Sequence, residues 1–279
     1  MECIRITKET LQWFEQLLEP PYPEQIARGE VYAAGAVADG TACGVLVFRL
    51  TDLLIDIEYI AVSDGYRRQG VGTAMLQFLC EHADKSVSPI TCSFAASGKT
   101  DPLCLFFAEQ ENFTVNEEDG FICETAIAAL GSIELPKVKS TLPAAPFFSL
   151  PESDRRIFWL NLKQAGRLYG DELKAEECVA PLCLCVQSRD GIKAAVFVQA
   201  AADDGLMLSF AWCAEGAQAS LVYLFGELIA AITETGKTGK LTVAAVTPES
   251  AALTEKLLPN HEITARFYTA VWDMITIGG

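Results

Sequence analysis

Residues 60–73 have side-chain types and spacing that suit phosphate binding. An apolar strand ends, a short loop carries Arg67 and Arg68, and a helix pattern then opens through Gly70 and Gly72. The first amides of a helix have no partner within the helix, and the helix dipole favours an anion at that end. Glycine also leaves room for close approach to the backbone. The pattern therefore predicts a phosphate site with two arginines as counter-charges.

The same residues also fit an interpretation without a ligand. Two glycines allow a helix to pack tightly against a strand, and two arginines can simply be solvated. Two other phosphate-binding motifs are absent from the sequence. There is no GxGxxG after a first parallel strand, and no glycine-rich loop that ends in Lys followed by Ser or Thr. A dinucleotide or nucleoside triphosphate site is therefore not expected.

This run resembles the acetyl-coenzyme A signature of the GCN5-related N-acetyltransferase (GNAT) superfamily. The match is Arg67-x-x-Gly70-x-Gly72 after a strand that ends in an apolar pair. The resemblance implies that acetyl-coenzyme A is the cosubstrate, that backbone amides of residues 68–73 hold its pyrophosphate, and that its pantetheine arm lies along residues 60–62. The implied cofactor-binding residues are Ile60, Ala61, Val62, Arg67, Arg68, Gln69, Gly70, Val71, Gly72 and Thr73.

Acyl transfer to an amine, the reaction that the resemblance implies, needs a neutral amine and therefore a group that removes a proton. Asp56 and Glu58 lie two positions apart on a predicted strand, so their side chains share one face. Either carboxylate could be the base, directly or through water. Alternatively, both cover a solvated face of the sheet or bind a cationic substrate without proton transfer. Asp56 and Glu58 are therefore the catalytic candidates.

Three positions around the helix after the fifth strand depart from the family's pattern. Ala108 stands where a tyrosine usually protonates the leaving thiolate, Asn112 replaces a glycine, and Asp101 replaces an asparagine that often contacts the cofactor. Either another group such as Tyr59 or Tyr66 supplies the proton, or the thiolate leaves unassisted, or the domain binds coenzyme A without efficient turnover. The alternative function is therefore a regulatory or structural module that binds coenzyme A.

Composition and charge exclude several classes of protein. Of 279 residues, 51% are hydrophobic and 21% are charged, which favours packed cores over intrinsic disorder. A net charge of −16 argues against a nucleic-acid partner. No apolar run is long enough for a signal peptide or a membrane span, so we expect a cytoplasmic protein without a membrane partner. The ten cysteines are interpreted as reduced core thiols, and no metal site is expected because CxxC pairs are absent.

The elements that position these residues occur in a repeated order. Apolar patterning predicts β α β β β α β α β β in the first half, with its first helix over 11–18, and the same order in the second half. Prolines between the halves predict a first domain over 1–135, a linker over 136–150 and a second domain over 151–279. With the resemblance, the expected fold class is α/β (α+β): two tandem acyl-coenzyme A N-acyltransferase (GNAT) folds, each a mixed, mostly antiparallel sheet flanked by helices.

The second half lacks the phosphate-binding signature. The corresponding position has Gly216, Ala217 and Ala219, but residues 207–235 contain no Arg or Lys, and Glu215 adds a negative charge. We therefore expect a degenerate second copy and a single cofactor site. The implied function is an acetyl-coenzyme A-dependent N-acetyltransferase that acts on a primary amine of a small molecule or peptide. The sequence does not fix the acceptor, the acyl chain length or the oligomeric state.

Overall fold

The computed structural model describes residues 1–51, 53–83, 89–133, 138, 142–167 and 172–272. Contacts divide the chain into two compact units. Unit 1 contains Met1–Glu118 and the segment from Phe267 onward, and unit 2 contains Asp119–Arg266. None of the described helices is both long and apolar enough to cross a membrane.

Helices separate many of the strands along the chain. The strands are β1 (Glu2–Arg5), β2 (Tyr32–Ala38), β3 (Thr41–Leu50), β4 (Ile55–Val62), β5 (Ile90–Ala96), β6 (Phe113–Ala126), β7 (Ala144–Pro146), β8 (Leu184–Ser188), β9 (Gly191–Ala200), β10 (Leu206–Cys213), β11 (Lys240–Ala245) and β12 (Glu262–Trp272). The α-helices are α1 (Tyr22–Arg28), α2 (Val71–His82), α3 (Pro102–Ala108), α4 (Ile127–Leu130), α5 (Glu152–Gln164), α6 (Gln218–Glu234) and α7 (Pro248–Leu257).

The sheet of unit 1 has the neighbour order β1-β2-β3-β4-β5, followed by the C-terminal part of β12 and the N-terminal part of β6. Strands β1 to β4 pair antiparallel, whereas β4 and β5 pair in parallel. One core lies under α2 and α3 and includes Met75 and Phe107; another includes Phe14 and Leu18. The two cores fix both faces of β3 and β4, the strands that carry the candidate residues.

The parallel ladder between β4 and β5 joins Ile55 with Ile90 and Asp56 with Thr91. These pairs lie at the N-terminal ends of both strands. Beyond Asp56, β4 continues beside β3 alone as far as Val62 among the described pairings. One edge of β4 is therefore open along the stretch that approaches the predicted phosphate loop.

The chain between β1 and β2 differs from the single helix expected over 11–18. It forms two 3₁₀ turns, Leu11–Trp13 and Glu15–Leu17, and then α1. The apolar pattern is nevertheless used, since Leu11, Phe14 and Leu18 are buried. Prolines at 20 and 21 have no amide hydrogen to continue a helix, which separates the turns from α1.

Unit 2 repeats the arrangement of unit 1. The C-terminal part of β6 is followed by β11, β10, β9, β8 and β7, and only the β10–β11 pair of these described pairings is parallel. Helix α6 buries Leu224 and Leu228 on one face of the sheet. Helix α5 packs Phe158 and Trp159 with Phe197 on the other face. The predicted class, tandem copies of a mixed and mostly antiparallel strand arrangement flanked by helices, is confirmed.

The two units do not coincide with the domain boundaries expected from the sequence. Strand β6 passes from unit 1 into unit 2, where Phe121–Ala126 pairs with Lys240–Ala245. The last strand, β12, returns to unit 1, where Tyr268 and Ala270 are buried. Part of the expected linker, 144–149, forms β7 and a 3₁₀ turn of unit 2, while residues 136, 137 and 139–141 lie outside the described residues.

Candidate functional site

A groove with a cavity volume of about 580 Å³ lies in unit 1 at the N-terminal end of α2. Its walls come from the C-terminal part of β4, the loop that leads into α2, the first turn of α2, and helix α3 with the residues that flank it. The lining residues are Ile60, Ala61, Val62, Tyr66, Arg67, Arg68, Gly70, Val71, Gly72, Thr73, Asp101, Pro102, Leu103, Phe106, Glu109 and Gln110. The volume lies within the range of small-molecule sites, roughly 300–1,000 Å³.

Helix α2 begins directly at this groove. Gly70 precedes the helix with a φ of 80°, a left-handed conformation that glycine adopts without strain. The amide of Ala74 donates to the carbonyl of Gly70 at 2.9 Å, which closes the first helical turn. The amides of Val71, Gly72 and Thr73 precede that bond, so helix geometry gives them no intrahelical acceptor. These three residues all line the groove, which makes its end a place for an anion.

The two glycines of the signature have different physical roles. A Cβ on Gly70 would meet no atom within 4 Å, so this position is open and is restricted by its backbone angle alone. A Cβ on Gly72 would stand 2.9 Å from Cε2 of Phe106. Gly72 therefore lets the Phe106 ring of α3 pack against α2, and this contact closes one side of the groove.

The two arginines also differ. The Nε of Arg67 donates to the carbonyl of Val62 at 3.1 Å, and its Nη1 lies 2.9 Å from Oδ1 of Asp64. Arg67 thus fastens the loop to the end of β4. Arg68, whose φ is 61°, has no ion pair or side-chain hydrogen bond among the described residues. Its charge is available to a ligand in the groove.

An acidic residue at the start of α3 lines the same groove as these arginines. Asp101 caps that helix, since its Oδ1 accepts from the amide of Leu103 at 3.0 Å and its Oδ2 accepts from the hydroxyl of Ser97 at 3.0 Å. The pKa of Asp101 is lowered, chiefly by the hydrogen bond from the Leu103 amide. The groove therefore contains a carboxylate that stays ionised. An anionic ligand would feel repulsion at this wall.

Strand β4 contains a bulge at the catalytic candidates. Val47 pairs with Tyr59 and Phe48 pairs with Ile57, so Glu58 has no partner of its own in β3. Ile57 faces the core under α2, whereas Tyr59 packs against the opposite core. The shared face of Asp56 and Glu58 was predicted from the regular alternation of side chains along a strand. The bulge interrupts that alternation just after Glu58.

Glu58 is held by Arg49 of β3. Nε of Arg49 lies 2.6 Å from Oε1 of Glu58, and Nη2 lies 3.4 Å from Oε2. Nη1 of the same guanidinium donates to the carbonyl of Glu30 at 3.1 Å. The Glu58 side chain is 21% exposed, so the pair is partly shielded from water. The Glu58 carboxylate is therefore held in place by two contacts to one guanidinium.

Asp56 has a weaker set of partners. Its Oδ1 accepts from the hydroxyl of Thr91 at 3.0 Å. Burial raises the pKa of Asp56, with a further contribution from the charge of Glu58, while the Thr91 hydroxyl and Arg49 act in the opposite direction. Asp56 therefore binds a proton more readily than an ordinary aspartate. At about 3.3 Å per residue along a strand, Asp56 lies roughly 13 Å from Ile60 and the groove.

The tyrosines considered as proton donors have distinct environments. The hydroxyl of Tyr59 donates to the carbonyl of Leu17 at 3.0 Å, and burial raises its pKa. Tyr66 lines the groove. Ala108 is exposed and is not among the lining residues. Of these residues, only Tyr66 presents a hydroxyl-bearing side chain to the groove.

Residues 3–95 match the model of the acetyltransferase (GNAT) family. They contain β4, the loop after it and the whole of α2, which together form the phosphate end of the groove. A comparison with curated protein sequences gave no match.

Solved structures resemble the chain over nearly its whole length. The tandem GNAT protein from the clavulanic acid biosynthesis pathway, without AcCoA, is 14% identical with a TM-score of 0.59, and 98% of each chain is covered. The chain therefore has the fold of a tandem GNAT protein. A GCN5-related N-acetyltransferase from Sphaerobacter thermophilus is 17% identical with a TM-score of 0.53, covering 96% of this chain and 95% of that one. A probable N-acyltransferase from Enterococcus faecalis V583 is 13% identical with a TM-score of 0.55, covering 97% and 72%.

The first GNAT copy brings most of the sequence-predicted residues together. Nine of the ten predicted cofactor residues line the groove; the exception is Gln69, whose Nε2 donates to the carbonyl of Gly65 at 2.8 Å. Asp56 and Glu58 lie nearer the N-terminal end of β4, outside the groove wall. Sequence reasoning missed the wall that α3 supplies, including Phe106, Glu109 and Gln110. The Asp-Pro pair that begins this helix is the signal that could have pointed to it.

The second GNAT copy has the strand bulge and the left-handed glycine but a shorter loop. In β10, Leu208 pairs with Val198 and Phe210 pairs with Phe197, so Ser209 occupies the bulge. Gly216 has a φ of 76° shortly before α6. Residues 63–70 join β4 to α2, whereas only 214–217 join β10 to α6. The loop of the second copy is therefore four residues shorter. A difference of this length is enough to remove the part of the loop that carries both arginines in the first copy.

Proposed function

We propose that this protein is an acetyl-coenzyme A-dependent N-acetyltransferase that transfers the acyl group to a primary amine of a small molecule or peptide by direct attack. The observation that carries the proposal is the phosphate end of the groove. There, helical amides without intrahelical acceptors follow Gly70, beside the uncommitted guanidinium of Arg68. The GNAT family of residues 3–95 supports acyltransferase activity in general.

The residues of the groove fit an acyl-coenzyme A. The amides of residues 71–73 would bind pyrophosphate oxygens, and Arg68 would neutralise their charge. The open position at Gly70 permits close approach of a phosphate to the backbone. Residues 60–62 form the strand wall along which the pantetheine arm would lie.

Bound acyl-coenzyme A supplies a thioester, whose acyl carbon forms a bond with the amine nitrogen as its bond to sulfur breaks. The ammonium form of the acceptor must first lose a proton, and residues of this chain accept that proton. We assign that proton to Asp56 through water, because burial raises its pKa and its distance from the groove excludes direct contact. The Arg49–Glu58 ion pair adjoins Asp56, because Arg49 is the partner of Asp56 in β3.

These three side chains together carry a net charge of −1 when both carboxylates are ionised. A cationic acceptor is therefore favoured over a neutral or anionic one on this side of β4. Polyamines, amino acids and aminoglycosides are suitable acceptors with which to begin.

The cytoplasm is the proposed compartment. All ten cysteines are free, and six of them are buried in the cores. Burial raises the pKa of Cys92, Cys178 and Cys185 to about 12, which keeps these thiols protonated and unreactive. Free thiols of this kind suit a reducing environment.

Binding of acetyl-coenzyme A tests the site. We expect one site per chain in calorimetric titrations, and about tenfold weaker binding by R68Q, because a charge-assisted contact to phosphate is lost. R28Q is the matched control: Arg28 is exposed, pairs with Glu24 and lies away from the groove. Equal losses in both variants, or two sites per chain, would contradict the proposal.

Turnover tests the reaction separately from binding. Steady-state release of free coenzyme A with a panel of amines should exceed background hydrolysis, and D56N should lower kcat without weakening acetyl-coenzyme A binding. One observation favours a second function, a coenzyme A-binding module: Ala108 places no hydroxyl at the end of α3. Specific binding with no turnover on the whole panel would support that module.

A further inference from the structure

A second cavity, of about 500 Å³, lies in unit 2 between α5 and the β8–β9 hairpin. Phe158, Leu162 and Trp212 give it an apolar floor. No residue of α6 lines it. The cavity is therefore on the opposite face of its sheet from the helix that corresponds to α2, and it is not a second copy of the groove in unit 1.

Trp212 lines this cavity and carries an unpaired donor. Its indole packs edge-on against Phe158, with ring centroids 5.3 Å apart. The indole Nε1 is buried and has no acceptor among the described residues. Buried indole N–H groups normally have a partner, because an unpaired buried donor is costly. Trp212 lies three positions after Ser209, the bulge residue of β10, and Ala61 lies three positions after Glu58, the bulge residue of β4. Since unit 1 has an alanine at the corresponding position, the fold itself does not need a tryptophan.

The charges around the cavity are not equally available. Asp154 already accepts from Nε2 of Gln187 at 2.7 Å, and Asp190 lies 3.9 Å from the amino group of a neighbouring lysine. Arg167 and Arg189, in contrast, have no ion pair among the described residues. Of the charged side chains that line the cavity, the two arginines are therefore the ones without an ion pair or hydrogen bond among the described residues.

We propose that this cavity binds a small carboxylate with an apolar body about the size of one ring. The carboxylate accepts from Nε1 of Trp212 and faces the guanidinium of Arg167, while the apolar body lies on Phe158 and Leu162. A carboxylate satisfies the buried donor and the unpaired charge together, whereas an amine satisfies neither. The site lies entirely in unit 2 and does not depend on the function proposed for unit 1.

The full-length protein can be titrated with three probes that share one body: 4-phenylbutyrate, its neutral primary amide and 4-phenylbutylamine. We expect saturable binding of the carboxylate, weaker binding of the amide by about tenfold, and the weakest binding by the amine. The ¹⁵N-indole spectrum reports on the donor directly. The signal that is missing in W212F should shift on addition of the carboxylate.

Two variants separate the contributions of the two groups. W212F keeps an aromatic ring but removes the N–H, so it should weaken both the carboxylate and the amide. R167Q should bring the carboxylate down to the affinity of the amide. The controls are W13F, an exposed tryptophan of unit 1, and R156Q, an exposed arginine of α5 outside the cavity wall.

The proposal fails if no probe saturates, if the amine binds as tightly as the carboxylate, or if the Trp212 signal stays fixed at saturation. The relative affinities of the three probes for the unaltered protein decide the matter even if W212F does not fold. Acetyl-coenzyme A affinity should be the same in W212F and the unaltered protein, so failure of the carboxylate site and failure of the proposed acyltransferase are distinguishable.

Discussion

At the scale of single residues, the groove combines opposite charges, and Asp101 is the least expected of its lining residues. Asp101 holds the start of α3 through both carboxylate oxygens, whereas an asparagine side chain keeps only one acceptor oxygen for this task. Its negative charge favours the helix start but opposes an anionic ligand.

We predict that D101N binds acetyl-coenzyme A more tightly, by about threefold to tenfold, with a smaller loss of stability than that of D101A. D101A should instead lose about 1 kcal/mol of stability, because the cap is removed. Calorimetric titration and thermal unfolding of both variants check this. Weaker binding by D101N than by the unaltered protein would show that the carboxylate itself contributes to recognition.

The raised pKa of Asp56 gives a dependence of stability on pH. A carboxyl whose pKa is higher in the folded state favours folding while it is protonated and loses that contribution as pH rises through the folded pKa. The free energy of unfolding of D56N, relative to the unaltered protein, should therefore increase between the ordinary aspartate value, about 3.9, and neutral pH.

Urea unfolding across that pH range measures this difference. D39N is the control, since Asp39 is an exposed turn residue with a φ of 50°, a conformation that asparagine tolerates. A difference that is flat with pH for D56N, or equally steep for D39N, would contradict the assignment.

At the scale of elements, the contact between α2 and α3 depends on Gly72. We predict that G72A costs about 1–3 kcal/mol, since its Cβ would overlap the Phe106 ring. F106L should relieve much of that cost, so the double variant loses less than the sum of the single ones. G70A should cost about 1–2 kcal/mol through its backbone angle alone, and F106L should not rescue it.

Double-mutant cycles from denaturant unfolding measure both couplings. A coupling of the same size for Gly70 and Gly72 would mean that the two glycines do not have separate roles.

The strand–loop–helix element could be predicted from sequence because its information is local. Glycines, arginines and the start of an apolar helical pattern all lie within 60–73. The bulge at Glu58 could not be predicted, since it arises from how β3 and β4 pair rather than from any residue in β4. The prediction of the first helix was wrong for a related reason: Leu11, Phe14 and Leu18 can bury themselves equally well from 3₁₀ turns.

At the scale of the whole molecule, the repeat of two copies was predicted correctly. The prediction did not show which unit contains each part of β6 and β12, the last strands of the two copies. Alternating apolar residues state which side of a strand is buried and do not state beside which strand it lies. Both 113–126 and 262–272 satisfy that pattern for either copy. Their neighbours are set by contacts distant in sequence, such as Ser93 with Thr269, whose hydroxyl oxygens lie 3.4 Å apart.

Removal of the end of β12 should therefore damage unit 1. We predict that a chain ending at Arg266 loses acetyl-coenzyme A binding and hydrogen-exchange protection in β5, because Tyr268 and Ala270 leave the core around Cys104 and Met75. A chain ending at Trp272 is the matched control. Full protection of β5 in the shorter chain would show that the strand is dispensable to unit 1.

The split composition of unit 1 also affects the order of events during synthesis. The groove residues leave the ribosome early, but the strand that completes their core is made only after all of unit 2. At roughly 5–20 residues per second, the interval is on the order of 10–30 s. During that time the nascent chain carries an unfinished sheet edge beside β5, where a chaperone or another nascent copy could bind. The yield of folded protein therefore depends on translation speed across 119–266.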